Sequence, residues 1–147
     1  MDDTYWTPSD SCKGCGEPSI PNSYVCARCR RLLQRVETRK DAEGRGRKID
    51  MAARLAALNR QWDPEAGAFR CHYTGLVLTL VWGSRRSASW EHRTPGDESS
   101  VVLVADLVNK MKGDMDEDQF RRVVLALARH FETPGFDEAQ FPVDPGV

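Results

Sequence analysis

No apolar run in this chain is long enough to cross a bilayer. The longest, Leu76 to Trp82, spans seven residues, against the roughly 20 that a membrane helix needs. The opening Met1-Asp2-Asp3-Thr4-Tyr5-Trp6 lacks the basic and apolar regions of a secretory leader, so the expectation is a cytoplasmic protein with no membrane partner. Internal repeats and long low-complexity segments are missing too, which argues against solenoid and linker-like architectures. Nor is there much net charge, −1 at pH 7. What remains is a chain of 147 residues, 40% hydrophobic, enough for one modest core and a small appended module.

The near-zero net charge conceals a segregation. From Arg28 to Arg60 there are eleven Lys and Arg against Glu37, Asp41, Glu43 and Asp50. From Gly113 onward eight acidic residues face only Arg121, Arg122 and Arg129. A basic middle segment is an electrostatic footprint for phosphates, although basic residues also simply solvate helix surfaces.

Four of the five cysteines form two pairs, Cys12-Lys13-Gly14-Cys15 and Cys26-Ala27-Arg28-Cys29, ten residues apart. Two Cys-x-x-Cys turns supply four thiolates at the spacing of a closed structural zinc site. A cytoplasmic chain argues against disulfides. No long apolar run lies within residues 12–29, so metal must supply most of that segment's folding energy. Cys71 is left over and reads as a small buried hydrophobe.

The pattern then divides the chain at residues 1–29 (the four-cysteine module), 30–67 (a basic helical segment), 68–133 (an α+β unit) and 134–147 (a proline-rich tail). Arg28 to about Lys40 reads as a basic helix with Leu32, Leu33 and Val36 as its apolar stripe. Asp50 is a suitable N-cap for a helix to Trp62, where Met51, Leu55, Leu58 and Trp62 recur at helical spacing. Leu76 to Trp82 is rich in strand formers. Ala88 to His92 and Val101 to Val104 read as strands about the Pro95-Gly96-Asp97-Glu98 turn. Ala105 to Lys112 reads as a helix ended by Gly113. Asp114 and Glu117 suggest a capping box for a last helix whose core face is Phe120, Val123, Val124, Leu127 and Phe131. The order strand, turn, strand, helix over residues 88–112 is a ββα unit.

Chemistry concentrates in that unit. Hydrolysing a phosphodiester needs a base for water and a cation for the developing negative charge. His92 suits the first task, because imidazole titrates near neutrality. Glu91 and Asn109 offer hard oxygens suited to Mg²⁺ or Mn²⁺. On a regular strand Glu91 and His92 point to opposite faces, so sharing a site requires the strand to bend or end there. Lys112 lies three residues after Asn109, on the same helical face, within reach of a phosphate. Arg85, Arg86 and Arg93 flank this region, and Arg31 and Arg35 lie on the basic helix. His72 and His130 read as structural or helix-end residues.

The combination resembles the HNH endonuclease superfamily over roughly residues 69–131. The matching stretches are Cys71-His72-Tyr73-Thr74-Gly75, Ser89-Trp90-Glu91-His92-Arg93-Thr94-Pro95, and Val102 through Asp114 with its Asn109-Lys110-Met111-Lys112. The resemblance implies a ββα-metal fold with flanking helices and a small N-terminal zinc ribbon or knuckle. It makes His92 the general base, Glu91 and Asn109 the ligands of a catalytic Mg²⁺ or Mn²⁺, and Lys112 the lysine that often follows. It also implies DNA as substrate, a helix at the minor groove and 5′ phosphate products. Two departures stand out. The family's middle asparagine, which braces the catalytic loop, falls near Ser100. The cysteine pairs that staple many relatives are replaced here by Ala105 and Val108, which leaves stability to Tyr73, Leu78, Trp82, Val102 and the last helix.

The leading expectation is therefore a metal-dependent HNH endonuclease acting on DNA. Structural Zn²⁺ sits on Cys12, Cys15, Cys26 and Cys29, and Lys112, Arg93, Arg85, Arg86, Arg31 and Arg35 contact nucleic acid. A homodimer or a larger phage or restriction machine would supply its partners. The alternative is a zinc-ribbon DNA-binding or adaptor protein that keeps the HNH scaffold without turnover. In a third reading the cysteine module is a protein-interaction knuckle.

Overall fold

Cys26 both opens the second cysteine turn and caps the first helix, with its Sγ accepting from the Cys29 N–H. The computed structural model describes residues 7–35 and 49–132. It is a small α+β structure with four α-helices and two-stranded hairpins among those residues. Helix α1 runs Ala27–Gln34. The remainder of the expected basic helix, with Val36, Arg39 and Lys40, lies outside the described residues, as do the first six residues and the tail.

Helix α2, Met51–Gln61, begins where Asp50 accepts from the Ala53 N–H at 3.0 Å, satisfying one of the orphan donors of a helix start. It passes into a minimal hairpin, β1 (Trp62–Asp63) with β2 (Ala68–Phe69). The segment 76–82, expected as a strand, makes only isolated bridges, Arg70 with Val77 and Thr79 with Ser87. Its tip, Val81 and Trp82, is exposed. Strand propensity reflects fit to a half-buried pleated surface, and here no continuous ladder provides one. Trp82, expected in the core, is instead 84% exposed.

The central hairpin pairs β3 (Ala88–His92) with β4 (Val101–Ala105) antiparallel, from Ala88 opposite Ala105 to His92 opposite Val101. A single 3₁₀ turn, Glu98–Ser100, leads into β4. Every residue of β4 is buried, so it is the centre of the core. Helix α3, Asp106–Lys112, follows at once and ends at Gly113, whose φ of 56° is a conformation that glycine adopts without strain.

Helix α4, Glu117–Glu132, starts two residues later than a cap at Asp114 requires. The capping pair is Asp116 and Gln119: the Gln119 N–H donates to Asp116 Oδ1 at 2.8 Å, and the Asp116 N–H donates to Gln119 Oε1 at 3.0 Å. Its expected core face is only partly used. Phe120 and Ala126 are buried, Tyr73 meets Phe120 edge to face at 5.4 Å, and Val124, Leu127 and Phe131 are exposed.

The described parts of the cysteine segment, α2 and the central hairpin share one hydrophobic core. Three contacts tie them. Trp90 Nε1 donates to the Leu32 carbonyl at 2.8 Å. The Gln61 amide exchanges two hydrogen bonds with the Leu103 main chain, at 2.7 and 2.9 Å. Gly14 lies against Cys29 and Leu58 so closely that a Cβ there would meet Cys29 Sγ at 3.0 Å and Leu58 Cδ1 at 3.1 Å.

Candidate metal centre and cleft

The two cysteine turns converge. The Sγ atoms of Cys12, Cys15, Cys26 and Cys29 all lie within 4.8 Å of one another and all four residues are buried. Cys15 Sγ and Cys26 Sγ are 3.6 Å apart, close to the roughly 3.8 Å edge of a tetrahedron with zinc–sulfur bonds of about 2.3 Å. The Gly14 and Cys29 N–H groups point at Cys12 Sγ and Cys26 Sγ. Hydrogen bonding from Cys29 pulls the Cys12 thiol down to about 4. Burial pushes Cys15 up to about 12, and the bond to Cys12 together with burial drives Cys29 upward. Four sulfurs this close cannot all carry charge alone, and a dication is the partner that lets them do so. The cluster thus fits a closed zinc site. Among the described residues it is the one group of three or more His, Cys, Asp or Glu with ligand atoms close enough for an ion.

The second feature is a cleft of about 530 Å³ whose walls include Arg54, Ser89, Trp90, His92, Glu98 and Asn109. His92 is the last residue of β3, so its ring leaves the sheet where the chain turns away. Its Nε2 is 2.9 Å from Glu98 Oε1. The other carboxylate oxygen of Glu98 accepts from Arg54 Nη2, also at 2.9 Å. Arg54 is only 1% exposed and its guanidinium lies 4.8 Å from the centre of the Trp90 ring. An imidazole, a carboxylate and a buried guanidinium thus form one chain ending in the cleft.

Glu98 and Arg54 were not singled out from sequence. Glu98 read as one more acid in a turn, and its role emerges only when the turn folds back on His92. Arg54 carried a faint signal: it lies four residues before Leu58, so a charge sits on the apolar face of an amphipathic helix.

Ser100 fixes that turn. Its hydroxyl accepts from the Thr94 N–H at 3.1 Å and donates to the Asp97 carbonyl at 2.8 Å, while its own carbonyl accepts from the Arg93 N–H at 3.2 Å. The Arg93 carbonyl accepts from the Glu117 N–H at 2.9 Å, which ties the loop to α4.

Glu91 and His92 part company. Glu91 shares a face of β3 with Ser89, and α3 lies over that face in two rungs. Asn109 Nδ2 donates to Ser89 Oγ at 2.6 Å, and one turn on Lys112 Nζ lies 3.3 Å from Glu91 Oε1. Glu91 Oε1 also accepts from the His92 N–H at 2.9 Å. Asn109 and His92 line the same cleft, whereas Glu91 is 8% exposed and is not among the residues lining it.

Lys112, expected at a phosphate, is 1% exposed, and its ammonium donates to the carbonyls of His92 and Met115 besides facing Glu91. Its charge neutralises a buried carboxylate and ties α3 to the end of β3. Arg35 is likewise committed, with Nη1 on the Ala88 carbonyl and Nη2 on the Leu80 carbonyl, both at 3.0 Å. Burial, with Arg31 nearby, lowers its pKa. Arg31, Arg85 and Arg86 are exposed, as phosphate contacts need to be.

His72 Nε2 faces Glu117 at 3.3 Å. Cys71 is buried, with its Sγ accepting from the Ala105 N–H. No helix among the described residues is long and apolar enough to cross a membrane.

No protein-family model matches this chain, and searches of curated proteins and of solved structures found no match either.

Proposed function

We propose that the protein is a divalent-metal-dependent endonuclease that hydrolyses DNA phosphodiester bonds, with His92 as the general base. The observation that carries the reading is the His92–Glu98–Arg54 chain at the edge of a cleft that Asn109 also lines. When Nε2–H donates a hydrogen bond to Glu98, the lone pair of Nδ1 is left to take a proton from water. Glu98 then stabilises the imidazolium that forms, and Arg54 holds Glu98 in place. This is the base-and-orienter arrangement that general-base catalysis requires.

The residues fit a hard cation in kind. Asn109 offers an amide oxygen at the cleft, and Glu91, a carboxylate held by Lys112 away from the cleft lining, would join it only on leaving that ammonium. Mg²⁺ usually takes one or two protein oxygens and completes its shell with water and phosphate oxygens. A bound Mg²⁺ or Mn²⁺ supplies stabilisation of the charge on the phosphate and on the departing 3′ oxygen. Water that gives its proton to His92 Nδ1 attacks phosphorus, the bond to the 3′ oxygen breaks, and that oxygen takes a proton from solvent, leaving a 5′ phosphate and a 3′ hydroxyl. Together with the resemblance of the ββα unit to HNH endonucleases, this makes the zinc module a structural and DNA-gripping element beside the cleft.

The second reading, a DNA-binding or adaptor protein without turnover, is favoured by one contact: Lys112 already occupies one oxygen of Glu91. Plasmid nicking separates the two. Supercoiled plasmid with Mg²⁺ or Mn²⁺ is expected to be converted to open circles by wild type and not by His92→Ala. Absence of nicking across several metals and substrates favours the adaptor.

A further inference from the structure

Trp82 is unexplained by packing. Its ring is 84% exposed at the tip of the 81–83 turn, in a chain whose other described tryptophans, Trp62 and Trp90, are half-buried or buried. It also belongs to two clefts at once. On one side is the cleft of His92, Glu98 and Asn109; on the other is a second cleft of about 410 Å³ lined by Arg28 and Arg31. Trp82 borders both the cleft that Arg28 and Arg31 help to line and the candidate catalytic cleft.

One cation stands beside it. The Arg35 guanidinium stands 5.7 Å from the centre of the Trp82 ring and is itself fixed by the Ala88 and Leu80 carbonyls. An exposed aromatic beside a fixed cation, flanked by clefts of ligand size, with exposed Arg85 and Arg86 in the next loop, has the elements of a single-strand platform. Such platforms combine a positive groove along the backbone with an aromatic face for a base.

We infer that one strand of DNA runs from the Arg28–Arg31 cleft across Trp82 into the His92 cleft, with an unpaired base stacked on the indole. In a duplex the base faces are buried in the stack, so Trp82 can engage only a base that is unpaired or displaced. The substrate class that follows is DNA with a single-stranded stretch beside the scissile phosphate. Only the fate of the strand at His92 rests on the nuclease reading; the track itself is a matter of binding.

The test is fluorescence anisotropy with the full chain, zinc retained and no other divalent cation added. Two labelled probes are compared: an oligodeoxythymidylate of about twelve nucleotides, within the usual site size of a single-strand groove, and a hairpin of similar stem length closed by a non-nucleotide linker, so that every base is paired. Losing one base stack weakens single-strand binding by about 5- to 150-fold. Trp82→Ala is expected to show a loss in that range on the single strand, less than about 2-fold on the hairpin, and an unchanged melting temperature. Trp82→Phe is expected to keep most of the affinity. Unchanged single-strand affinity in Trp82→Ala overturns the track, as does an equal loss on both probes or no measurable single-strand binding by wild type. If wild type binds the single strand through Trp82 but nicks nothing in any metal, the nuclease reading fails and the track stands.

Discussion

Lys112 and Glu91 carry the sharpest claim at the scale of single side chains. Removing one partner of a buried ion pair leaves an uncompensated charge and costs about 3–5 kcal/mol, whereas replacing both is far milder. Lys112→Met is expected to lose stability in that range, and Glu91→Gln with Lys112→Met less than the sum of the single changes, read by urea unfolding. A loss within about 0.5 kcal/mol for Lys112→Met, typical of surface positions, contradicts the buried pair. The sequence placed Lys112 on the face of Asn109, because three residues make nearly one turn. It did not say that this face lies against β3 rather than solvent, and so a lysine legible as a phosphate contact is a buried counter-ion. His92 was legible as the chemically distinctive group. Its two supports were not, because Glu98 reaches it through a folded turn and Arg54 through a separate helix.

At the scale of elements, α4 separates pattern from partner. Phe120, Val124, Leu127 and Phe131 follow a four-three-four spacing, which marks a helical stripe. Only the N-terminal end of that stripe meets the core, where Phe120 packs on Tyr73. Phe120→Ala is accordingly expected to cost about 3–5 kcal/mol, and Phe131→Ala less than about 0.5 kcal/mol, as at exposed sites. Similar losses from both in thermal or urea unfolding contradict this placement. Elsewhere the local chemistry was readable. Asp50 caps α2 and Gly113 ends α3 as expected, and β3, β4 and α3 fall within a residue of their sequence bounds. The cap of α4 was misplaced by two residues, since Asp114-x-x-Glu117 and Asp116-x-x-Gln119 are equally good signals and only the fold selects between them.

At the scale of the whole molecule, the cysteine cluster and the cleft are joined through one core. Gly14 lies between Cys29 and Leu58 of α2, close to both, and α2 also carries Arg54, which holds Glu98. Metal loss at the cluster therefore propagates to the cleft. Chelation in Mg²⁺-free buffer is expected to release a single zinc per chain and to lower the melting temperature. It should also abolish the near-ultraviolet dichroism of Trp90, whose indole N–H is bonded to α1. Release of zinc with an unchanged melt contradicts a structural role. The four cysteines were legible because metal spacing is local in sequence. The shared core was not, because its contacts join residues more than forty positions apart.

The central claim is that His92, oriented by Glu98, activates water for phosphodiester hydrolysis, and it is tested most directly by single-turnover nicking of supercoiled plasmid in Mn²⁺. Wild type is expected to nick. Glu98→Gln should be slowed by about 10²-fold or more, and His92→Ala by about 10²- to 10⁴-fold, the range for losing a general base, with DNA affinity unchanged in both. Nicking by His92→Ala at the wild-type rate contradicts the assignment.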